Sequence, residues 1–372
     1  MRIGFDAKRA FRNFTGLGNY SRSTISILSE HYPDNQYFLY TTFYKKHPLL
    51  TFANRPNINV RGPEGMLKRL PSAWRTYGMK TDINFDKIEL FHGLTAELPV
   101  GIASKTRTVV TIHDLIFLRY PEYYKPIDRW IYTKKYASAC KRADLIIAIS
   151  EQTKQELVSF FNTDEKKIRL VYQGCDPQFY RICPDTEKKK VKALYKLPDE
   201  YVLYVGTIES RKNLLTLVKA LHLLPEPLKL VVVGSPTSYF QRIQQYITAN
   251  HLEKRIVFLH HTVFHHLPAI YQQAQTFCCP SLFEGFGIPL LEALHSKIPV
   301  VAANSSSLPE AGGPDSLYVE PLDEQGFAKA ILKTIDDKPF RQQMIDKGIN
   351  YAQQFNEEHI AKNIWKVYQE LG

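Results

Sequence analysis

Short apolar runs alternate with helical patterns along the first half of the chain. Each run is bounded by turn or polar residues, as is typical of a buried strand. These runs are residues 2–5, 37–41, 58–60, 90–92, 108–112 and 145–149, and helical spacing of apolar residues is found at 19–30, 126–142 and 151–161. Alternating strands and helices predict a parallel, doubly wound α/β sheet.

The alternation stops and then restarts in the second half. We expect a short strand at 171–173 that leads into Gly174-Cys175-Asp176-Pro177, a segment without periodicity, and we place a domain boundary after Pro177. The next predicted strands are 201–205, 228–233, 256–259, 276–279, 300–302 and 317–319, with helices near 213–223, 238–249, 266–274, 289–295 and 323–334. The 372 residues suit two domains of ordinary size. We therefore predict two Rossmann-like domains, 1–177 and 178–356, that face each other across a cleft.

The last segment of the chain, residues 357–371, has the pattern of an amphipathic helix. Ile360, Ile364 and Val367 recur on one face of that helix. Because this face must be buried, we expect the helix to dock onto one of the domains.

The net formal charge of +11 is the unusual feature of the composition, since 23% charged and 44% hydrophobic residues are ordinary for a globular protein. Such a surplus suits nucleic acid, an anionic membrane surface or anionic substrates. Residues 61–80 and 119–142 mix Lys and Arg with Trp and Tyr, which suits a bilayer interface or single-stranded nucleic acid. The alternative, of about equal weight, is a solvated helix face whose aromatic residues pack inward.

The distribution of apolar residues also bears on location. The first residues, Met1-Arg2-Ile3-Gly4-Phe5-Asp6, are interrupted by charge too early for a signal peptide, and no apolar stretch approaches the length of a membrane span. We expect a cytoplasmic protein, with peripheral attachment at the inner face of the cell membrane as an open alternative. The five cysteines lack CxxC spacing and are expected to be reduced thiols.

Two carboxylates, Glu284 and Glu292, lie eight positions apart across a predicted strand-to-helix turn. Gly285 and Gly287 give the turn backbone freedom, and Pro289 suits the first turn of a helix. The first N–H groups of a helix have no internal partner, and the helix dipole favours an anion beside them. We expect a phosphate above this turn, with the two glutamates binding hydroxyl groups on either side of it.

A purely structural interpretation of Glu284 is also available. Ser281 and Glu284 have the spacing of a capping box. That arrangement would place Gly285, Gly287 and Pro289 inside a helix, where proline alone costs about 3 kcal/mol. We therefore favour a binding site.

A second candidate segment begins where a predicted strand ends at Gly206. Arg211 and Lys212 follow before the next helix, and a guanidinium fork with a point charge suits a diphosphate. A structural pair of cations is less favoured, because cations at a helix start oppose its dipole.

Two further candidates lie in the first half. His113 and Asp114 follow a predicted buried strand, so His113 is a candidate for substrate contact, with a structural histidine as the alternative. Gly16 and Gly18 open a helix only after a loop, whereas a dinucleotide fingerprint follows its strand directly. Their spacing argues against an NAD site and predicts a mobile glycine loop that approaches a phosphate.

Together these motifs resemble a known enzyme family. The segment from Glu284 to Glu292, Glu-Gly-Phe-Gly-Ile-Pro-Leu-Leu-Glu, resembles the E-x7-E signature of retaining glycosyltransferases with the GT-B fold. With Gly206-Thr207 and Arg211-Lys212-Asn213 the chain is similar to glycosyltransferase family 4, and with residues 91–99 it is most similar to the mannosyltransferase-like branch. The resemblance implies that the N-terminal domain binds the acceptor and the C-terminal domain binds the nucleotide-sugar donor, and that the terminal helix, 357–372, crosses back onto the N-terminal domain.

The resemblance implies roles for matching residues. Glu284 would bind the donor sugar and Glu292 the ribose of the nucleotide. His113 would contact the transferred sugar near its anomeric centre. The residues implied to hold the diphosphate, or to close over it, are Arg211, Lys212, the backbone N–H groups of Phe286, Gly287 and Ile288, and the glycines Gly16 and Gly18. The remaining donor-binding candidates are Gly206, Thr207 and Thr262.

The base of the nucleotide stays open. A glycine that is usual in the family is replaced by His260 in the segment that would hold the base. We expect GDP-mannose as the donor, with a UDP-sugar as the second choice.

The resemblance implies a retaining transferase that needs neither a metal ion nor a cofactor beyond its nucleotide-sugar co-substrate. The chain has no DxD motif, and Arg211 with Lys212 would take the place of a metal ion. The expected acceptor is a glycan or a lipid-linked glycan of cell-surface polysaccharide, and no nucleic-acid partner is expected. The alternatives are a sugar-nucleotide epimerase of the same fold and a non-catalytic scaffold that binds a membrane or a polysaccharide.

Overall fold

The computed structural model describes residues 1–13, 15–44 and 48–372. It divides into two compact units, one of Met1–Gln173 with Glu357–Gly372 and one of Gly174–Asn356. The boundary follows Gln173, whereas the sequence placed it after Pro177. The difference arises because Pro177 opens a short 3₁₀ helix whose Phe179 packs edge-on against Tyr271 of the second unit, with ring centroids 5.5 Å apart.

The first unit contains a parallel sheet of seven strands among the described residues. The strands are β1 (Arg2–Asp6), β2 (Gln36–Tyr40), β3 (Ile58–Arg61), β4 (Leu90–Gly93), β5 (Arg107–Ile112), β6 (Leu145–Ala148) and β7 (Ile168–Leu170). Their order in the sheet is β3-β2-β1-β4-β5-β6-β7. The predicted strand at 171–173 is wrong, because the chain pairs with β6 three residues earlier, at Ile168–Leu170.

Helices cover this sheet and account for the spacing between its strands. They are α1 (Lys8–Arg12), α2 (Gly16–His31), α3 (Pro71–Ala73), α4 (Met79–Phe85), α5 (Ile116–Arg119), α6 (Pro126–Arg142) and α7 (Glu151–Phe161). A π-helical turn, Trp74–Gly78, joins α3 to α4. Helix α1 was not predicted, because five residues are too few to establish a helical period.

The second unit contains a parallel sheet of six strands. These are β8 (Tyr201–Val205), β9 (Lys229–Val233), β10 (Ile256–Leu259), β11 (Thr276–Cys279), β12 (Val300–Ala303) and β13 (Leu317–Val319), in the order β10-β9-β8-β11-β12-β13. The helices are α8 (Asp185–Tyr195), α9 (Leu214–Ala220), α10 (Phe240–Ala249), α11 (Leu267–Tyr271), α12 (Ile288–His295), α13 (Leu308–Gly312), α14 (Glu324–Asp336) and α15 (Lys338–Ala352). Both units are thus doubly wound α/β structures, as the alternating pattern predicted.

The last helix, α16 (Glu357–Gln369), belongs to the first unit. Its buried residues Ile360, Ile364 and Tyr368 join the apolar core that contains Ile3 of β1. The ring of Trp365 stacks on Tyr32 with centroids 4.4 Å apart. The apolar face of this helix is therefore covered within the first unit.

The basic, aromatic segments of the first unit are mixed in their burial. Trp74 is buried, whereas Ile127 and Trp130 of α6 are 63% and 60% exposed. The interpretation in which aromatic residues pack inward is thus correct for Trp74 and wrong for Trp130. No helix in the described part of the chain combines the length and the apolar character that crossing a membrane requires.

Candidate functional site

The turn between β11 and α12 positions Glu284. Gly287 precedes the first residue of α12 with a φ of 118°, in the left-handed region that favours glycine. A Cβ atom at Gly287 would also lie 3.1 Å from Cδ2 of Leu308. Pro289 lies in the first turn of the helix, where it forfeits no internal hydrogen bond. The glycine and the proline thus set the turn that the sequence predicted.

Glu284 is the centre of a cluster of ionised and polar side chains. Its carboxylate forms ion pairs with Lys212 and with Arg211, the latter over 3.2 Å. Ser281 Oγ donates a hydrogen bond to Glu284 Oε1 over 2.7 Å. The capping-box interpretation is excluded, because the helix begins at Ile288 and Ser281 contacts the carboxylate itself. The predicted cations and the predicted carboxylate are therefore in direct contact.

The two cations determine the charge state of Glu284. Burial by itself would raise the pKa of this carboxyl, but the charges of Lys212 and Arg211 outweigh burial and lower the pKa to about 2. Glu284 is therefore ionised at neutral pH and accepts hydrogen bonds.

A second carboxylate, which was not predicted from the sequence, completes the cluster. Arg211 Nη2 lies 2.6 Å from Glu209 Oε1. Two cations and two carboxylates thus cancel in charge. Asn213 joins this segment to the Glu284 turn, since its side-chain amide donates to the carbonyl oxygen of Pro280 over 3.0 Å.

Three consecutive serines support the Glu284 turn and were also missed. Ser306 Oγ accepts from the backbone N–H of Glu284 over 2.9 Å, and Ser307 Oγ donates to the carbonyl oxygens of Glu284 and Phe286 over 2.9 Å each. Ser305 Oγ donates to the carbonyl oxygen of Ser281 over 2.7 Å. A run of three hydroxyl residues, separated from the end of strand β12 only by Asn304, is the signal that could have indicated them.

Glu292 lies on α12 in a different environment from Glu284. It is buried, and Tyr271 donates a hydrogen bond to its Oε2 over 2.7 Å. Burial raises the pKa of Glu292 to about 7; the hydrogen bond from Tyr271 opposes this rise, and the charge of Asp176 adds a smaller increase. The two glutamates of the E-x7-E segment thus have pKa values on opposite sides of the ordinary value.

Gly206 and Gly234 form a close backbone contact at the ends of β8 and β9. The N–H of Gly206 donates to the carbonyl oxygen of Val233 over 2.9 Å, and a Cβ atom at Gly234 would lie 1.9 Å from the carbonyl oxygen of Gly206. Gly234 was not identified from the sequence. Thr207 follows with an exposed side chain, and its carbonyl oxygen accepts from Tyr204 over 3.2 Å.

Thr262 and His260 follow strand β10. Thr262 Oγ1 is buried and has no hydrogen-bond partner among the described residues. His260 Nδ1 lies 3.0 Å from the carbonyl oxygen of Gly234, so this nitrogen is the donor. The His260 ring stacks on Phe258 with centroids 5.7 Å apart. The histidine that replaces the family glycine is thus held in one orientation.

The candidates of the second unit share one edge of its sheet. They follow the carboxyl ends of β8, β10 and β11, which are parallel strands of a single sheet. Ligands of open α/β sheets bind at this edge. The candidates at this edge are Gly206, Thr207, Arg211, Lys212, Thr262, Glu284, Phe286, Gly287 and Ile288.

His113 lies in the first unit, directly after β5. It is buried, its Nε2 donates to the carbonyl oxygen of Leu94 over 2.9 Å, and Tyr20 packs edge-on at a centroid distance of 4.5 Å. Burial lowers the pKa of His113 to about 4. The imidazole is therefore neutral at pH 7, with its proton on Nε2.

Gly16 and Gly18 do not form a mobile loop, and that prediction is wrong. Both lie in the first turn of α2. A Cβ atom at Gly18 would lie 1.7 Å from the carbonyl oxygen of Asn13, whereas one at Gly16 would have no atom within 4 Å. Arg22 fixes the preceding segment by donating to the carbonyl oxygens of Ala10 and Asn13 over 2.8 and 2.7 Å. Gly18 thus has a packing reason to be glycine, and Gly16 presents an open helix start.

Across residues 1–13, 15–44 and 48–372, no three His, Cys, Asp or Glu side chains are grouped so that they could hold a metal ion. All five cysteines are buried and reduced, as predicted.

Family models match most of the chain. The model described as Glycosyltransferase Family 4 matches residues 25–179, and the model of Glycosyl transferases group 1 matches residues 185–351.

Two curated relatives and one solved structure illustrate the similarity. The O-antigen chain mannosyltransferase B of Escherichia coli is 31% identical over 288 residues, which are 76% of this chain and 74% of that protein. The O-antigen chain mannosyltransferase RfbU of Salmonella typhimurium is 27% identical over 255 residues, which are 68% of this chain and 67% of that protein. The crystal structure of Anabaena Alr3699/HepE in complex with UDP and glucose matches with a TM-score of 0.79 and 20% identity, covering 100% of both chains.

Proposed function

The chain belongs to glycosyltransferase family 4 and is a glycosyltransferase with the GT-B fold, and on this premise we propose that it is a retaining, metal-independent mannosyltransferase. Its donor is GDP-mannose, and its acceptor is a glycan or lipid-linked glycan of a cell-surface polysaccharide. The contact of Arg211 and Lys212 with Glu284, at the strand edge beside the start of α12, is the observation that carries this proposal.

The cluster supplies what the departure of a nucleoside diphosphate requires. As the bond from the anomeric carbon to the diphosphate breaks, negative charge increases on the phosphate oxygens. Arg211, Lys212 and the N–H groups at the start of α12 stabilise that charge. These groups provide the charge stabilisation that a metal ion provides in other transferases. Retention of configuration is proposed from membership of the family alone.

Glu284 and Glu292 have distinct parts in holding the donor. Glu284 is ionised. When Arg211 and Lys212 bind the diphosphate, their ion pairs with Glu284 weaken, and its oxygens accept hydrogen bonds from the hydroxyl groups of the sugar. Glu292 binds the ribose hydroxyls from α12. A contact of His113, whose imidazole is neutral, with the transferred sugar is proposed from membership of the family alone.

Mannose is the proposed sugar because the relatives named above are mannosyltransferases. Their names also place them in the assembly of O-antigen chains, which supports a polysaccharide acceptor. A UDP-sugar is the second choice for the donor, since the Anabaena protein was crystallised with UDP. Thr262, with its buried hydroxyl, would contribute to recognition of the base.

We also propose that the first unit contacts an anionic membrane surface, where a lipid-linked acceptor would reside. The exposed Ile127 and Trp130 lie on α6 together with Lys134, Lys135 and Lys141. An apolar and aromatic face accompanied by lysines suits the headgroup region of an anionic bilayer.

The proposal is tested by thermal unfolding of the metal-free protein with GDP, UDP, ADP and their sugar conjugates. A ligand at about 100 times its dissociation constant adds about 2.7 kcal/mol to the free energy of unfolding. We expect GDP and GDP-mannose to raise the melting temperature, and Arg211→Ala to remove that rise. Stabilisation by no nucleotide contradicts the proposal, and release of an epimerised sugar nucleotide without any acceptor identifies an epimerase instead.

A further inference from the structure

The sheet of the first unit has a topological switch point between β1 and β4. The chain runs from β1 to β2 and β3 on one side and then places β4 on the other side of β1. Ligands of open α/β sheets bind outside the carboxyl ends of the strands at such a point. Asp6 is the last residue of β1, and Glu97 follows the end of β4 at Gly93.

Arg75 joins these two carboxylates. Its Nε and Nη2 atoms lie 2.9 and 2.5 Å from Asp6 Oδ2, and Nη1 donates to Glu97 Oε2. Arg75 comes from the π-helical turn Trp74–Gly78, within the basic, aromatic segment 61–80. Turns of this type occur often at functional sites.

The members of this network differ in exposure. The side chains of Asp6 and Arg75 are 4% and 10% exposed, whereas that of Glu97 is 29% exposed. Glu97 Oε1 lies 3.6 Å from Lys135 Nζ, and Lys8 is also close enough to interact electrostatically with Glu97. The buried pair therefore holds Glu97 in place, and Glu97 presents a carboxylate oxygen at the strand edge.

The turn that carries Glu97 also holds His113. The carbonyl oxygen of Leu94 accepts from His113 Nε2 over 2.9 Å, and the N–H of Ala96 donates to the carbonyl oxygen of Thr111 over 2.9 Å. The turn is tight, since a Cβ atom at Gly93 would lie 2.1 Å from the carbonyl oxygen of Glu97. Glu97 and His113 thus keep a fixed relation to each other.

We propose that Glu97, positioned by Arg75 and Asp6, binds a hydroxyl group of the acceptor, and that this acceptor end is a neutral glycan. The inference rests on the proposed function, in which a glycan supplies the acceptor hydroxyl. Arg75 is shared between two carboxylates, so the group offered to the ligand is a carboxylate oxygen. Such an oxygen accepts a charge-assisted hydrogen bond from a sugar hydroxyl and repels a phosphate.

The test uses Glu97→Gln in the full chain, with Glu89→Gln as the matched control. Glu89 lies just before the amino end of β4, where its Oε2 accepts from the N–H of Arg2 over 2.6 Å, so it is a carboxylate at the opposite edge of the same strands. The acceptor probes are the neutral octyl glycosides of α-mannose, β-galactose and β-N-acetylglucosamine. The acceptor KM, the nucleotide dissociation constant and the melting temperature are measured for each protein.

We expect Glu97→Gln to raise the acceptor KM about tenfold, which corresponds to about 1.4 kcal/mol, with an unchanged nucleotide dissociation constant and melting temperature. Glu89→Gln should change none of the three. An unchanged acceptor KM in Glu97→Gln overturns the inference. A raised acceptor KM that is always accompanied by a lower melting temperature also overturns it. Both results indicate that the ion network is only structural.

The same experiment distinguishes an error in the neutral-glycan ligand class from an error in the proposed function. A wild-type protein that binds the donor nucleotide but glycosylates none of the neutral octyl glycosides overturns the neutral class. A wild-type protein that binds no nucleotide overturns the proposed function and this inference with it.

Discussion

Tyr271 on α11 and Glu292 on α12 share a buried hydrogen bond of 2.7 Å, in which the phenol donates to the carboxyl oxygen. No cation pairs with Glu292 among the ion pairs of the described residues, whereas Glu284, eight positions earlier in the turn before α12, has two. The two glutamates of one short segment therefore respond to pH in opposite ways.

Stability should fall as Glu292 ionises. Burial raises the pKa of Glu292 to about 7 from an ordinary value of 4.5. Below pH 4.5 the carboxyl is protonated in both states, and between pH 4.5 and 7 the unfolded chain releases its proton first, so the free energy of unfolding falls as pH rises through this window. Glu292→Gln should remove this fall. Between pH 4.5 and 8, its free energy of unfolding should therefore come to exceed that of the wild type by about 3 kcal/mol.

Urea unfolding at pH 5, 6, 7 and 8 measures this difference. The exposed Glu226→Gln serves as the control and should follow the wild type. Parallel pH dependence of the wild type and Glu292→Gln would show that Glu292 does not titrate in this window.

Lys212 should contribute strongly to the rate. Removing a preorganised charge beside a developing oxyanion typically lowers kcat by about 10²-fold to 10³-fold, and we expect Lys212→Met to do so. Lys219→Met is the matched control, since Lys219 also pairs with a glutamate, Glu324 at 3.3 Å, on an exposed helix surface. Initial rates at saturating donor and acceptor measure the effect, and equal rates for the two variants would remove Lys212 from the catalytic groups.

Gly234 should tolerate no side chain. A Cβ atom there would lie 1.9 Å from the carbonyl oxygen of Gly206, so Gly234→Ala must displace the ends of β8 and β9 and should cost about 2 kcal/mol or more. Gly16→Ala is the contrasting change, because its Cβ meets no atom within 4 Å beyond its chain neighbours and its own helix, and Gly16 is the first residue of α2, so the free energy of unfolding should change little. Denaturant unfolding of both variants gives the two values, and a stable Gly234→Ala protein would contradict the close contact.

The exposed face of α6 should govern membrane binding. We expect the double change Ile127→Ser and Trp130→Ser to weaken cosedimentation with phosphatidylglycerol vesicles by about tenfold, and 0.5 M salt to weaken binding of the wild type as lysine contacts are screened. Leu194→Ser removes a comparably exposed apolar side chain from α8 and should have no effect. Equal binding of all three proteins would exclude this face.

The sequence predicted the architecture well, for a physical reason. Strands buried on both faces are short apolar runs, so β11 at Thr276–Cys279 has the bounds that were predicted. Helices α8 and α15 were missed, because most of their residues are polar or exposed and their apolar period is weak.

The donor-side contacts were predicted in part. Arg211, Lys212 and Glu284 were identified because each stands at the end of a predicted strand. Glu209 and the hydroxyls of Ser305, Ser306 and Ser307 were not, since a sequence does not say which turns of neighbouring strands touch.

The network of Asp6, Arg75 and Glu97 in the first unit could not be predicted from the sequence, for the same reason. Arg75 lies 69 positions from Asp6 along the chain, and only the order of the strands brings them together. The predicted glycine loop was wrong because α2 begins at Gly16, before its apolar period becomes visible at 19–30.

The position of α16 has a consequence for how the chain matures on the ribosome. Ile360, Ile364 and Tyr368 complete the core of the first unit, yet they are synthesised after all of the second unit. The second unit is continuous in sequence and can fold as soon as it emerges, whereas the unit that was begun first has to wait with part of its core uncovered. We therefore expect the second unit to complete its core before the first unit does.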